Sequence, residues 1–244
     1  MKFATKNKTW DFPYDEVTLK SILKEVYYRE DYKPGLNYIK KLKNPVVVDI
    51  GAYIGITALY FARHKEATIY AIEPHPHSFR SLFANTKDNP KIKQINNAIT
   101  GQEGQFSLYQ NNKTIGMSLI QPKDATEYQE IPVAAITIDH FFNAMKIKHV
   151  DLLKIDVEGC EYEIFLSDGF KKVAPKIDYI IGESHEIGNA MNYTIVKPIL
   201  EQRGYKVEFL PVQNVTIITT VTVSGGKKYD IEHLCNTMFT AQRL

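Results

Sequence analysis

The chain has 244 residues, of which 44% are hydrophobic and 24% charged, which is the composition of a globular protein that can bury one sizeable core. Its formal net charge of +2 gives no whole-chain reason to expect binding to nucleic acid or to an anionic membrane. The two cysteines make neither a disulfide framework nor a zinc spacing, and the sequence has no signal peptide and no run of about 18 apolar residues, which favours a cytoplasmic location.

The first part of the chain reads as a helical extension. Residues 15–31 carry apolar side chains at helical spacing, which predicts one helix there. Aromatic residues are frequent in this region, and they could either cover an acceptor molecule or fasten the helix to the core: Trp10, Tyr14, Tyr27, Tyr28 and Tyr32. We expect residues 1–44 to form a helical extension or cap that precedes the main domain.

From Pro45 onwards, strands and helices alternate. "VVVDI", "ATIYAIE" and "IKQINNAI" are predicted strands, and the helical patterns "GITALYFARHK" and "HSFRSLFANTKD" separate them. Such a β-α-β-α-β order predicts a parallel sheet with helices on both faces.

The second half of the chain returns to alternating strands and helices after an interrupting segment. Residues 101–140 alternate between apolar and polar positions, which predicts a small antiparallel β insertion. "VDLLKIDVEG" and "KIDYIIGESH" are predicted strands, and "CEYEIFLSDGF" and "NYTIVKPILEQRG" are predicted helices. Two of three late strand candidates are needed to close the sheet, and the third would be an extra edge strand: "YKVEFL", "VTIITTVTV" and "TMFTAQR".

A glycine turn follows the first strand of the sheet. In "VVVDIGAYIG", Asp49 precedes the turn, and Gly51 and Gly55 stand where the next helix begins. The third glycine of a dinucleotide-binding fingerprint is missing, which disfavours a nicotinamide-dependent oxidoreductase. Glu73 ends the second strand, where a carboxylate can accept hydrogen bonds from both hydroxyls of a ribose. Together these features predict a ribose-bearing cofactor.

The motifs resemble those of a known family. "VVVDIGAYIG", "AIEPHPHSFRSLFAN", "LLKIDVEGCEYEI" and "IIGESHE" are similar, in this order, to the motifs of the FkbM family of S-adenosylmethionine-dependent methyltransferases. The resemblance runs from about Pro45 to Glu186. Tyr53 stands where that family often has Asn, and Cys160 where it commonly has Ala.

The resemblance implies an α/β, Rossmann-like class I methyltransferase fold. The expected sheet is mostly parallel and has seven strands in the order 3-2-1-4-5-7-6, with the last added strand antiparallel. Residues 45–244 would then be an S-adenosylmethionine-dependent methyltransferase domain, and residues 1–44 fall outside the resemblance.

The resemblance also implies positions for the cofactor. Asp49, Gly51, Ala52 and Gly55 would hold its methionine end, Glu73 its ribose, and the loop with Asn97 and Ala98 its adenine. Asn85 is interpreted as an ordinary residue near the end of a helix. The cofactor-binding residues implied in this way are Asp49, Gly51, Ala52, Tyr53, Gly55, Glu73, Pro74, Asn97, Ala98 and Asp156.

Acidic residues at the ends of two later strands indicate an acceptor site. Lys154, Asp156 and Glu158 alternate on one side of a strand, and Glu183 and His185 share a side at the end of the next. The predicted catalytic residues are His185, Asp156 and Glu183. Three interpretations stay open: His185 is a general base, or a divalent metal on Asp156, Glu158, Glu183 and His185 acidifies a hydroxyl, or positioning alone suffices.

Other polar residues have plainer explanations. Lys154 is expected to pair internally with an acid, and for Glu158 the plain explanation is that an acid near the start of a helix is favoured by the helix dipole. The remaining histidines are expected at the surface: His64, His75, His77, His140, His149 and His233.

The predicted function is O-methylation of a hydroxyl on a small molecule or glycan, with S-adenosylmethionine as cofactor and without a nucleic-acid or membrane partner. An RNA methyltransferase on the same fold and a non-catalytic cofactor-binding module are the alternatives. Residues alone assign no metal ligand, although a divalent metal is possible.

Overall fold

The structure is a computed structural model, and it describes all residues except 1, 6–7, 13–15, 112–116, 121–127, 186–191, 211–215, 223–227 and 235. The strands are β1 (Lys2–Thr5), β2 (Lys8–Asp11), β3 (Val46–Ile50), β4 (Thr68–Ile72), β5 (Ile92–Ile95), β6 (Ala98–Thr100), β7 (Gly104–Asn111), β8 (Met117–Ser118), β9 (Tyr128–Thr137), β10 (Val150–Ile155), β11 (Ile177–His185), β12 (Tyr205–Phe209), β13 (Thr216–Thr222), β14 (Lys228–Leu234) and β15 (Asn236–Arg243).

The helices are α1 (Glu16–Leu23), α2 (Lys33–Ile39), α3 (Ile56–Phe61), α4 (Pro76–Thr86), α5 (Ile138–Ala144), α6 (Glu161–Leu166), α7 (Asp168–Val173) and α8 (Asn192–Glu201). A π-helical turn spans Lys24–Arg29, and a 3-10 turn spans Ala174–Lys176. Among the described residues, no helix combines the length and the apolar character that crossing a membrane requires.

Seven strands form the central sheet in the order β12-β15-β11-β10-β3-β4-β5. Neighbouring strands are parallel except that β15 is antiparallel to both β11 and β12. The class I methyltransferase fold and its strand order, predicted from the resemblance, are therefore confirmed. The β-branched run of β3 is buried at four of its five positions, because helices cover both faces of the sheet.

The predicted third strand, "IKQINNAI", is wrong as a single element. β5 belongs to the central sheet, whereas β6 joins a second sheet of order β6-β9-β7-β8. The chain changes sheets at Asn96, whose side-chain amide donates to the carbonyl oxygens of Glu73 (2.8 Å) and Pro74 (3.1 Å). β7 and β9 pair in antiparallel fashion, so the predicted β insertion is confirmed.

Two other predicted elements also differ. "CEYEIFLSDGF" is not one helix, because Ser167 adopts an extended backbone and its hydroxyl caps α7 by accepting from the Phe170 N–H at 3.0 Å. Of the late strand candidates, β12 and β15 close the sheet, while β13 pairs with β14 in a separate hairpin that the sequence did not predict.

The N-terminal extension is more divided than the single predicted helix. α1 ends at Leu23, the π-helical turn follows, and Glu30 ends that turn in a left-handed conformation with φ of 56°. The β1–β2 hairpin and α2 were not predicted. Division of the chain at residues 44 and 45 stays a prediction.

The extension packs into the core on one face of the sheet. Trp10, Phe12 and Tyr32 are buried in the same apolar cluster as residues of β3 and β10. Asn85 joins the two parts, since its side chain accepts from the Asp11 N–H at 2.7 Å and donates to the Asp11 carbonyl oxygen at 2.9 Å. Asn85 lies near the end of α4, as predicted. Tyr27 and Tyr28 are exposed, and Tyr14 lies outside the described residues.

Candidate functional site

A cavity of about 270 Å³ opens beyond the carboxyl ends of β3, β4, β10 and β11. This is the edge at which open parallel sheets bind ligands. Most of the predicted cofactor residues line the cavity: Gly51, Ala52, Tyr53, Glu73, Pro74, Asn97, Ala98 and Asp156. Of the predicted catalytic residues, Asp156 and Glu183 line it as well, whereas His185 lies behind its wall. The predicted cofactor residues Asp49 and Gly55 also lie behind the wall.

The turn between β3 and α3 leaves no room for a side chain at Gly51. Its φ is +78°, and a Cβ atom there would lie 1.8 Å from the carbonyl oxygen of Asp156. Gly55 also has a positive φ, of +87°, and a Cβ atom would lie 2.7 Å from Cγ2 of Thr86 on α4. Gly51 thus lets two strand ends meet at the cavity, whereas Gly55 lets α3 start against α4.

Behind the turn lies a buried network centred on Lys154. Asp49 is fully buried; its Oδ2 accepts from the Thr57 hydroxyl at 2.6 Å, and its Oδ1 lies 3.3 Å from Nζ of Lys154. Nζ also lies 3.5 Å from Oδ2 of Asp156 and donates to the Gly51 carbonyl oxygen at 2.8 Å. The internal ion pair predicted for Lys154 is confirmed, and Lys154 links the buried Asp49 to Asp156 at the cavity.

Glu73 lies at the end of β4 with 5% of its surface exposed. Its Oε2 accepts from the Tyr53 N–H and its Oε1 from the His75 N–H, both at 2.9 Å. Each carboxylate oxygen keeps capacity for another donor. Burial raises the pKa of Glu73 to about 8, against the lowering effect of these two bonds.

His75 is not at the surface, and that prediction is wrong. Only 1% of it is exposed, and its Nδ1 accepts from the Ser78 N–H at 3.3 Å as the N-cap of α4. Burial lowers the pKa of His75 to about 4, so the imidazole is neutral. The proline that follows it at the first helical position was the available signal. His77, His140 and His149 are exposed and His64 is half-buried, while His233 falls where side chains are not described.

The opposite side of the cavity centres on His185. Its Nδ1 lies 2.8 Å from Oε1 of Glu161, a residue that is 2% exposed. Glu161 is fixed in turn, because it accepts from the N–H groups of Val157 (2.9 Å) and Gly159 (3.0 Å). Sequence reasoning assigned no role to Glu161, although it is the last acid of the "LKIDVEGCE" motif.

Three carboxylates face the other ring nitrogen of His185. Nε2 lies 3.5 Å from Oε2 of Glu158, 3.5 Å from Oε2 of Glu183 and 3.7 Å from Oδ1 of Asp156. Burial acts to lower the pKa of His185, but the bond to Glu161 and the nearby acids outweigh it and raise that pKa to about 10. Burial, followed by the charge of Asp156, raises the pKa of Glu183 to about 8.

The extension and the insertion complete the wall. Ile22, Glu25, Val26 and Tyr32 line the cavity from the N-terminal side, and the Tyr32 hydroxyl donates to Oδ2 of Asp156 at 3.3 Å. Burial and the charge of Asp156 raise the pKa of Glu25 to about 7. From the insertion, the apolar side chains of Leu108, Met117 and Leu119 line the cavity.

Two groups of side chains in the described part of the chain could hold a metal ion: Asp156, Glu158 and His185 at the cavity, and His149, Asp151 and Asp178 at a distant surface.

Comparison with known proteins identifies a matching family and two similar proteins. The profile described as "Methyltransferase FkbM domain" matches residues 49–207. "Methyltransferase 1" of Beauveria bassiana is 28% identical over 184 residues, covering 66% of this chain and 72% of that protein. "Methyltransferase sdnD" of Sordaria araneosa is 27% identical over 153 residues, covering 50% of this chain and 59% of that protein.

Solved structures show a distant likeness. One is the precorrin-6y C5,15-methyltransferase of Geobacter metallireducens GS-15, which is 15% identical, with 87% of this chain and 86% of that chain covered and a TM-score of 0.47.

Proposed function

We propose, from the premise that this chain belongs to the methyltransferase FkbM domain family, that it transfers the methyl group of S-adenosylmethionine to a hydroxyl of a small molecule or glycan. One observation carries the proposal. A single cavity is lined by Glu73 at the end of β4 and by Asp156 and Glu183 at the ends of β10 and β11. The acid that we propose for the ribose and the two acids that we propose for the acceptor therefore face the same space.

The donor side would hold the cofactor by its ribose. Glu73 keeps acceptor capacity on both oxygens, and the two backbone N–H bonds fix its orientation before the cofactor arrives. The loop with Asn97 and Ala98 also lines the cavity and would border the adenine. Gly51 and Ala52 would lie along the methionine end, while Asp49 and Gly55 would support that turn from behind.

The reaction is an in-line displacement at the sulfonium methyl. The acceptor oxygen would form a bond to the methyl carbon as the carbon–sulfur bond breaks, and S-adenosylhomocysteine would leave with that electron pair. The hydroxyl proton must pass to a base. A general base works best when its pKa lies near the working pH, which favours Glu183, with a pKa of about 8.

His185 would then serve the reaction in another way than as the base. With a pKa of about 10 the imidazole is protonated at neutral pH, and it lies behind the acids that line the cavity. Its position 3.5 Å from Glu183 and 3.7 Å from Asp156 would hold these carboxylates toward the acceptor. Asp156 is also held by Tyr32 and Lys154, so we propose that it orients the acceptor.

The experiment has a binding part and a transfer part. S-adenosylmethionine and S-adenosylhomocysteine should raise the melting temperature, whereas NAD should not. Cofactor labelled in its methyl group is then incubated with the protein and a panel of glycans, hydroxylated metabolites and RNA oligonucleotides. Label in a glycan or metabolite ether supports the proposal, and label in RNA alone, or stabilisation by NAD alone, contradicts it.

A further inference from the structure

We propose that Asp156, Glu158 and His185 bind one divalent cation of the transition-metal kind, represented by Mn²⁺ and Zn²⁺, at the acceptor end of the cavity. The role that the cation would have in methyl transfer rests on the proposed function, whereas the test of cation binding does not. The three residues come from the end of β10, from the turn after it and from the end of β11, so the sheet itself brings them together.

The separations between the ligand atoms suit a shared ion. Nε2 of His185 lies 3.5 Å from Oε2 of Glu158 and 3.7 Å from Oδ1 of Asp156, and all three ligand atoms lie within 4.8 Å of one another. Two atoms held at about 2.1 Å from a tetrahedral ion are about 3.4 Å apart. A direct hydrogen bond would instead bring the two heavy atoms to about 2.7–3.2 Å.

A second observation is the burial of His185 and the hydrogen bonding of its two ring nitrogens. Its side chain is about nine-tenths buried, and within the described part of the chain Nε2 makes no hydrogen bond although it points at the carboxylates. The other ring nitrogen is held by Glu161 at 2.8 Å. A buried acid that fixes one imidazole nitrogen, while the other is aimed at a cluster of ligands, is the usual support for a metal-binding histidine.

The support itself is rigid. Glu161 accepts from two backbone N–H groups of the turn that carries Glu158, and the Ser118 hydroxyl donates to the Glu158 carbonyl oxygen at 2.6 Å. The ligand-bearing turn is therefore tied both to His185 and to the β insertion. Such an arrangement holds the ligand set in place before an ion enters. The ion takes the place of the Nε2 proton of His185, which is released to solvent, because a histidine binds a metal only through an unprotonated nitrogen.

The donor set selects the class of ion. One imidazole with carboxylates suits Mn²⁺ or Zn²⁺ better than Mg²⁺ or Ca²⁺, which prefer oxygen ligands alone. Three protein ligands leave a position open, as catalytic metal sites require. Asp156 and Glu158 line the cavity, so an acceptor hydroxyl could occupy that position and lose its proton more readily to Glu183.

The group at His149 lacks these features and provides a control. His149 is exposed, and its Nε2 already lies at hydrogen-bonding distance, 2.9 Å, from Oδ2 of Asp178. We therefore infer no site there.

The test measures metal binding directly, without cofactor or acceptor. Protein freed of metal by chelator and dialysis is titrated with Mn²⁺, followed by electron paramagnetic resonance, and with Zn²⁺ and Mg²⁺, followed by calorimetry. One equivalent of Mn²⁺ or Zn²⁺ should bind. His185→Ala should abolish measurable binding, Glu158→Gln should weaken it at least tenfold, and Glu161→Gln should weaken it by about 10–100-fold.

His149→Ala should bind the metal as the unaltered protein does. Glu158 is half-exposed, so its glutamine variant is expected to fold, and melting curves of each variant without metal verify this. Absence of one-to-one binding to the unaltered protein, or full binding by folded Glu158→Gln and His185→Ala, would overturn the proposal. Because methyl transfer is not measured here, failure of the metal site and failure of the proposed function are distinguishable.

Discussion

Replacing Glu73 with glutamine should remove the pH dependence of cofactor affinity. Glu73 is 5% exposed, and burial raises its pKa to about 8. The free protein therefore carries a proton on this carboxyl at neutral pH. Ribose hydroxyls would donate to the ionised carboxylate and favour that form, so the proton must leave when the cofactor binds. Glutamine has the same shape and cannot titrate.

The magnitude follows from the position of that pKa. For each pH unit below 8, removal of the Glu73 proton makes the free energy of cofactor binding less favourable by about 1.4 kcal/mol, which is a factor of ten in affinity. At pH 6 the cost is about 2.7 kcal/mol, which is close to the roughly 1.5–3 kcal/mol that a hydrogen bond to a charged group contributes. The unaltered protein and Glu73→Gln should therefore bind with similar affinity at pH 6. Above pH 8 the unaltered protein should bind about 10–100-fold more tightly.

Calorimetry with S-adenosylhomocysteine measures this at pH 6, 7, 8 and 9, in two buffers with different enthalpies of ionisation. Binding to the unaltered protein should release close to one proton at pH 7 and little at pH 9. Glu66→Gln is the matched control, because Glu66 is exposed on the loop before β4 and should behave as the unaltered protein does. An affinity that stays flat from pH 6 to 8.5, or proton release that persists in Glu73→Gln, would refute the reasoning.

Without cofactor, the same pKa predicts the opposite trend in stability. The folded state keeps a proton that the unfolded chain releases above the ordinary glutamate pKa of 4.5. The stability that this proton contributes is present below pH 4.5 and is lost as the pH rises to about 8. In urea unfolding, the free energy of unfolding of Glu73→Gln should not show this loss as the pH rises.

Further predictions concern the turn, the buried network and the base. Gly51→Ala should cost at least about 3 kcal/mol in urea unfolding, because its Cβ would strike the Asp156 carbonyl oxygen, whereas Gly204→Ala, with φ of +84° and open space, should cost about 1–2 kcal/mol. Lys154→Met should cost about 3–5 kcal/mol in unfolding free energy, and adding Asp49→Asn should restore part of it, since the loss comes from an unpaired buried charge. Equal stability of the single and double variants would contradict this. Glu183→Gln should lower turnover about 10²–10⁴-fold at pH 8 with cofactor affinity nearly unchanged in calorimetry, and a loss below tenfold would exclude Glu183 as the base.

The sheet and its buried ion pair could be predicted because local pattern and burial agree. The run Val46–Val48 is apolar at consecutive positions, and the residues from Val47 to Ile50 are buried on both faces of the sheet. Lys154 stands inside a similar run, where a charge is tolerated only with a partner, and it pairs with Asp49 and Asp156.

Other features depend on contacts between distant parts of the chain. Nothing in "IKQINNAI" shows that Asn96 will bind the carbonyl oxygens after β4 and turn the chain into another sheet. Glu161 resembles an ordinary acid in the first turn of a helix, and only the fold brings it to His185. The buried position of His75 was not predicted for a local reason, because a histidine is an uncommon N-cap.

The π-helical turn at Lys24–Arg29 makes one wall of the cavity adjustable by single-residue insertion or deletion. A π-helical turn closes its hydrogen bonds over five residues instead of four, so it accommodates one residue more than the α-helix that precedes it. Tyr28 in this turn is 81% exposed, whereas Val26 is buried and faces the cavity. Loss of one exposed residue would return the segment to α-helical geometry and rotate Val26 and Glu25 against the cavity, while the strands of the central sheet kept their register. Evolution could thus change which acceptors fit by a change in length at one turn, without altering the residues at the strand ends.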